Sequence, residues 1–170
     1  MTSNTFPALS KSMVEEKIYY LTREGLKRLK KEFEELQTIK LMKTRGEAPK
    51  ILHSEDIDPE YLALQEDLSL LDIRLNELET ILKNTQIIKI PPKAEQNKIG
   101  LGATVLVNIN GTDGEFTVVG TLEANPAKGW ISNESPVGQI LLGKEAGQEI
   151  IVNSPSKTVY KIKKISYTTS

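Results

Sequence analysis

Cysteine is absent from the chain, so neither a disulfide nor a thiolate zinc site can form, and the composition suits a reducing, cytoplasmic setting. Histidine occurs once, at His53, and a lone loop imidazole reads as an exposed residue rather than a metal ligand. No apolar run approaches the length of a membrane span. The first residues, Met1 to Val14, hold Ser, Thr and Pro but no basic run with an apolar core, so they do not read as a signal peptide. Excess charge of one sign is missing too. A formal net charge of −1 argues against coating nucleic acid by bulk electrostatics, while leaving room for a local patch. Charged and apolar fractions are those of a globular protein, and 170 residues accommodate one ordinary domain or two small ones.

What is present divides the chain into a leader (1–20), a helical hairpin (21–86), a linker (87–98) and a β-rich domain (99–170). Tyr61, Leu64, Leu68, Leu71, Leu75, Leu78 and Leu82 alternate steps of three and four without a break, the spacing of a coiled-coil seam. Asp58 is a suitable N-cap and Pro59 suits a first helical position, which predicts a helix over 59–84. An earlier helix opens at Thr22, with Leu26, Leu29, Phe33 and Leu36 at the same spacing. Its seam turns polar at Lys40 and Lys43, and Gly46 and Pro49 argue against helix beyond residue 45. Matching Leu26 with Leu82, Leu29 with Leu78, Phe33 with Leu75 and Leu36 with Leu71 keeps one antiparallel register and places a tip near 50–58. That tip carries Glu55, Asp56 and Asp58.

Charge follows the same division. Arg23–Lys50 holds nine Lys or Arg against five acids, whereas Glu55–Leu82 holds nine acids and only Arg74. Two readings stand side by side: complementarity between the arms, and a basic stripe of Lys40, Lys43, Arg45 and Lys50 leading to the tip. The acids divide as well. Asp58 is explained by capping and Glu60 by its first-turn position near the positive end of the helix dipole. Glu55 and Asp56 have no such structural role.

Beyond Ile90-Pro91-Pro92-Lys93 the pattern changes to short β-rich runs at Ala103–Ile109, Glu115–Leu122, Gln148–Val152 and Thr158–Ile165. Asn110-Gly111 and Asp113-Gly114 are turn signals between the first two. Ser135-Pro136 opens a short helix through Leu142, and Gly143 ends it. One helix on a small antiparallel sheet predicts an α+β domain. With no His, no Cys and no Gly-rich phosphate loop, this domain has no catalytic set, and Asn133, Glu134 and Ser135 read as turn and cap chemistry.

Ser135-Pro136-Val137-Gly138-Gln139-Ile140-Leu141-Leu142-Gly143-Lys144, followed by Gly147-Gln148, closely resembles the C-terminal signature of the bacterial Gre transcript-cleavage factors. Gly102-Ala103-Thr104-Val105 is similar to that family's entry into the domain, and Thr22-Arg23-Glu24-Gly25 with Leu29 to the start of its first coiled-coil helix. The likeness spans about 20–168. It implies an N-terminal antiparallel coiled coil joined to a C-terminal FKBP-like domain that docks on RNA polymerase, with Ser135, Pro136, Gly143 and Lys144 in the docking segment. It further implies a monomer whose rod enters the polymerase secondary channel. There, tip carboxylates help hold a Mg2+ ion shared with the polymerase active site, so that the polymerase cleaves its own backtracked RNA. The basic stripe would contact the nascent RNA 3′ end, and the chain itself would be no enzyme.

The family tip reads Gly-Asp-Leu-x-Glu-Asn-x-Glu-Tyr, and here the sequence is Ser54-Glu55-Asp56-Ile57-Asp58-Pro59-Glu60-Tyr61. Aligned without a gap from Tyr61, the working positions fall on Ser54 and Ile57. A two-residue shortening inside the motif brings Asp56-Ile57 onto Asp-Leu, with Asp58 next. A one-residue shift offers Glu55 and Asp58 at the family spacing. The resemblance therefore leaves an alternative open: a secondary-channel regulator that does not stimulate cleavage. A third expectation, prolyl isomerisation, needs an aromatic-lined pocket, and Phe116, Trp130, Tyr160 and Tyr167 are the only aromatics available in the domain.

Overall fold

A computed structural model describes residues 17–46, 59–153 and 157–167; the expected tip at 50–58, most of the leader and the last three residues lie outside them. The chain opens with a short strand, β1 (Tyr19–Leu21), and enters helix α1 (Arg23–Arg45). Thr22 is its N-cap: the side-chain oxygen accepts from the Gly25 N–H at 3.0 Å, satisfying a donor that no helical carbonyl can reach. The helix stops at Arg45 with Gly46 as C-cap, where the sequence places its limit. Helix α2 (Pro59–Lys83) has Pro59 as its first residue, consistent with the missing N–H of proline costing nothing there. At 1.5 Å per residue the two helices run roughly 35 Å and 37 Å.

The hairpin is antiparallel. Glu32 bonds to Arg74, Lys40 to Asp72 and Lys43 to Asp67, so partner numbers fall along α2 as they rise along α1. The predicted seam is the inner face: Leu75 and Leu78 are buried, and Tyr61, Leu64, Leu68 and Leu71 are half-buried. Leu26, Leu29, Phe33 and Leu36 of α1 are also only half-buried, because each helix of a two-helix rod has one covered face. The heptad pattern misplaces one residue. Ile81, rather than Leu82, is the buried position at the base, where β1 adds a layer by pairing in parallel with β2 (Thr85–Ile87).

That parallel pair moves two boundaries. The leader expected through residue 20 already contains strand at Tyr19 and Tyr20, and Leu21 is fully buried. Three residues with no periodicity of their own become strand because their partners lie 66 residues downstream in register, with Tyr19 opposite Thr85.

The C-terminal domain carries a five-stranded sheet in the order β5-β4-β3-β7-β6. Its strands are β3 (Ala103–Ile109), β4 (Thr112–Val119), β5 (Trp130–Ser132), β6 (Glu149–Asn153) and β7 (Lys157–Tyr167), with helix α3 (Pro136–Leu141) between β5 and β6. The sheet is mixed rather than antiparallel, since β5 pairs in parallel with β4. Strand β5 escaped the sequence reading because it is three residues long. Of the two turn signals only Asn110-Gly111 makes a turn: both residues have positive φ (50° and 92°) and join Ile109 to Thr112, as a two-residue hairpin requires. Asp113 and Gly114 belong to β4, and Asp113 instead meets Lys163 of β7 at 2.7 Å. That Lys163 hydrogen bond, followed by one from Asn108, holds the Asp113 carboxyl below its ordinary range.

The inner faces of these strands and α3 enclose the main core, with Val105, Val107, Val118, Leu141, Val152 and Ile162 all essentially inaccessible. Tyr167 closes its open end. The phenol donates to the Lys98 carbonyl at 2.7 Å and accepts from the Gly100 N–H at 2.8 Å, and burial pushes its pKa up. Tyr167→Phe leaves both backbone groups without that partner, so we expect a loss of about 1–2 kcal/mol in urea unfolding; an unchanged midpoint would show that water replaces the hydroxyl. Among the described residues no helix is long and apolar enough to cross a membrane.

Candidate functional site

The expected acidic site falls in the sequence between the free ends of the two helices. β1, β2 and the C-terminal domain attach where α1 begins and α2 ends, so Arg45 and Pro59 lie a full helix length away. Glu55, Asp56 and Asp58, the expected catalytic and metal-holding acids, fall between them in the sequence and outside the described residues, as do His53 and Lys50. Among the described residues no three acidic or histidine side chains gather around a metal-sized site. The donor set itself suits Mg2+, which prefers carboxylate oxygens completed by water.

Three members of the basic stripe can be placed. Lys40 pairs with Asp72 and Lys43 with Asp67, both across the arms, while Arg45 is exposed at the end of α1 and makes no ion pair among the described residues. Arm-to-arm complementarity therefore accounts for two of the four. The lone base of the acidic arm completes the pattern in reverse: Arg74 binds Glu32 at 2.6 Å and Glu77 at 2.7 Å. Hydrogen bonding to Glu32, then to Glu77, raises the Arg74 pKa further. All these side chains keep about a third or more of their surface in solvent, so each pair contributes only about 0–1 kcal/mol. A competing phosphate would displace Asp67 or Asp72 at small cost.

Ser135, Pro136, Gly143 and Lys144, expected to dock on the polymerase, each have a structural account. Ser135 caps α3, accepting from Gly138 N–H at 3.0 Å and donating to the Ser132 carbonyl at 2.7 Å, and Pro136 is its first residue. Gly143 follows with a φ of 77° and donates to the Ile99 carbonyl at 2.7 Å, while the Lys144 carbonyl accepts from the Ile99 N–H at 2.8 Å. Together they tie the helix to the domain entry. Pro136, Gln139 and Gly143 remain exposed along one edge. Asn133 and Glu134 act as turn residues, as expected: their N–H groups bind the Val119 carbonyl and the Ser132 hydroxyl.

The prolyl-isomerase expectation finds no support among the described residues. An open groove of about 460 Å³ is lined by Pro91, Glu95, Asn97, Lys98, Gly100 and Tyr167, among others. Phe116, Trp130 and Tyr160 take no part in it. Phe116 and Tyr160 pack together against the core, with ring centroids 6.5 Å apart.

Sequence reasoning missed the residues that join the rod to the domain. Glu123, in the 3-10 turn at Thr121–Glu123, is the one buried charged side chain among the described residues, 5% exposed. Its carboxylate accepts from both the backbone N–H and the hydroxyl of Thr22, each at 2.6 Å. Lys17 adds an exposed pair with Glu134 at 3.2 Å. No local pattern marks these contacts, which link residues about a hundred apart.

Known proteins match both parts of the chain. Residues 19–87 match the family model described as transcription elongation factor, N-terminal, and residues 93–167 the model described as transcription elongation factor, GreA/GreB, C-term. The transcription elongation factor GreA of a Roseiflexus species is 40% identical over 144 residues, spanning 82% of this chain and 91% of the relative. The GreA of Bacillus subtilis is 37% identical over 160 residues, spanning 91% of this chain and 100% of its own. Among solved structures, GreA factor homolog 1 of Thermus thermophilus is 26% identical, covers 88% of this chain and 99% of its own, and superposes with a TM-score of 0.39.

Proposed function

Since the chain belongs to the GreA/GreB family of transcription elongation factors, we propose that it binds RNA polymerase through its C-terminal domain, inserts the coiled coil into the secondary channel and stimulates endonucleolytic cleavage of backtracked RNA. The observation that carries this reading is the antiparallel two-helix rod whose far ends, Arg45 and Pro59, flank the acidic segment in the sequence. The segment that holds Glu55, Asp56 and Asp58 joins Arg45 to Pro59 in the sequence, and these two helix ends stand roughly 35 Å of helix away from the base at Thr22. Such an arrangement delivers carboxylates into another protein's site rather than forming a pocket of its own. The chemistry supplied by a Mg2+ ion held jointly with the polymerase active centre is polarisation of the scissile phosphate and activation of water. Glu55, Asp56 and Asp58 would complete the oxygen ligands and orient that water. Lys40, Lys43, Arg45 and Lys50 would meet the phosphates of the extruded RNA 3′ end, the first two by releasing Asp72 and Asp67. Catalysis then belongs to the polymerase, and this chain supplies reach, rigidity and charge.

The test is RNA shortening in purified, backtracked elongation complexes with added full-length chain and Mg2+. The expected result is a saturable acceleration of cleavage; no acceleration at saturating chain overturns the proposal. A second reading, favoured by Ser54 and Ile57 standing at the working positions of the ungapped tip, keeps the partner and drops the cleavage. It requires the same saturable binding, slower nucleotide addition and no RNA shortening.

A further inference from the structure

A rod serves as a delivery device only if its direction is held at the base. At roughly 35 Å, ten degrees of slack at the first turn of α1 displaces the far end by about 6 Å. Misplacement of about 1 Å already costs rate at a reacting centre. The exposed Lys17–Glu134 pair is too weak to supply such stiffness. The buried carboxylate of Glu123 is differently placed. A charge removed from water is tolerated only where it is fully bonded, and both Glu123 oxygens are: one takes the backbone N–H of Thr22 and the other its hydroxyl. Thr22 in turn accepts from Gly25 N–H. A single hydroxyl thus caps α1 on one side and donates to the C-terminal domain on the other, and the positive end of the helix faces the carboxylate.

Two glycines make room for this contact, one on each side. A Cβ at position 25 would stand 2.2 Å from Glu123 Oε1, and one at position 120 would stand 1.7 Å from the Tyr20 carbonyl oxygen. Gly25 sits within α1 with no positive φ to require it, and a glycine inside a helix is otherwise unfavourable. The three atoms nearest such a Cβ all belong to the Glu123 carboxylate, which accounts for a glycine here.

We infer that Glu123 is a positioning residue: its carboxylate, seated on the Thr22 cap against Gly25, pins the coiled coil to the C-terminal domain and sets the direction in which the tip is presented. The functional half of this inference rests on the proposed role in RNA cleavage; the mechanical half does not. The absence of native cysteine allows spin labels to be placed at will on the full-length chain. Gln37→Cys and Ala146→Cys, both exposed, report the angle between rod and domain by pulsed electron–electron resonance. Gln37→Cys with Glu66→Cys reports the rod alone.

Gly25→Ala and Glu123→Ala are expected to broaden the rod-to-domain distance distribution at least about twofold while leaving the rod distance unchanged. Glu123→Gln, which keeps one acceptor oxygen, should fall between them and the parent. Gly25→Ala is informative because intrinsic helix preference runs the opposite way, so broadening there cannot come from a weakened helix. In the cleavage assay the same variants should lower the maximal rate about tenfold with little change in the half-saturating concentration, because the segment Ser135–Lys144, proposed to dock on the polymerase, is left unchanged. Rod-to-domain distributions that superpose on the parent overturn the pin, and so does equal broadening within the rod, which would mark Glu123 and Gly25 as merely structural. The distance readout decides the pin whether or not the parent chain stimulates cleavage.

Discussion

Alanine at Glu55, Asp56 and Asp58 together is expected to lower stimulated RNA cleavage by on the order of 100-fold, with the half-saturating concentration within about twofold of the parent. The size follows from what is removed. These are the only acids between Glu47 and Glu60, so no neighbouring side chain replaces the lost oxygen ligands. Binding should be spared because Ser135–Lys144, proposed to dock on the polymerase, belongs to the C-terminal domain at the base of the rod. Asp58 needs separate treatment, since it directly precedes Pro59, the first residue of α2. An alanine there would also remove the N-cap expected from the sequence, at about 1 kcal/mol. Asp58→Asn resolves the two roles, because asparagine caps as well as aspartate but is a poorer ligand for a hard cation. If Asp58 serves only the helix, Asp58→Asn will cleave like the parent and the loss will follow Glu55 and Asp56. A triple variant as active as the parent would exclude tip carboxylates from the chemistry.

The second large effect is on folding. Gly120→Ala is expected to cost about 3 kcal/mol in urea unfolding, the upper end for overpacking. Gly120 is buried where β4 leaves the sheet, and the new Cβ would lie 1.7 Å from the Tyr20 carbonyl oxygen and 2.7 Å from its carbon. These are backbone atoms of β1, which is itself held by pairing with β2, so no rotamer change relieves the clash. Either β1 lifts off, exposing Leu21, or the 3-10 turn carrying Glu123 shifts away from Thr22. Gly46→Ala is the control: its nearest atoms are 3.6 Å and 3.7 Å away, and its φ of −59° suits any residue. A change within about 0.5 kcal/mol is expected there. Equal effects at the two positions would mean that the junction relaxes freely and does not constrain the rod.

Much of this architecture was legible before any coordinates. The heptad of α2, the Thr22 and Ser135 caps, Pro59 and Pro136 as first helical residues and the Asn110-Gly111 turn each depend on atoms within four residues of one another. Local sequence is sufficient for such features. The register of the two apolar seams foretold an antiparallel pairing, whereas the charge division alone left open whether Lys40 and Lys43 served acids of the other arm or a ligand. The structure shows them on the acids.

The signature at Ser135–Lys144 illustrates the converse. Its resemblance to a docking segment was plain, yet Ser135, Pro136, Gly143 and Lys144 each also close a hydrogen bond or start the helix, so the motif does not by itself separate structure from binding. Strand β5 and the parallel β1–β2 pair were missed because three-residue strands carry too few alternations to register as a pattern. The mixed character of the sheet followed from the same omission.

What the sequence determined by itself was a rod and an acidic link: helix periods, caps and the carboxylates of 55–58 are properties of neighbouring residues. Tertiary structure alone decided how the rod is mounted. Glu123 meets Thr22 across 101 residues, Gly120 passes under Tyr20, and Ile81 replaces Leu82 at the base. None of these depends on local preference. Each exists because two chain segments, distant in sequence, must share one small volume without a clash or an unbonded charge.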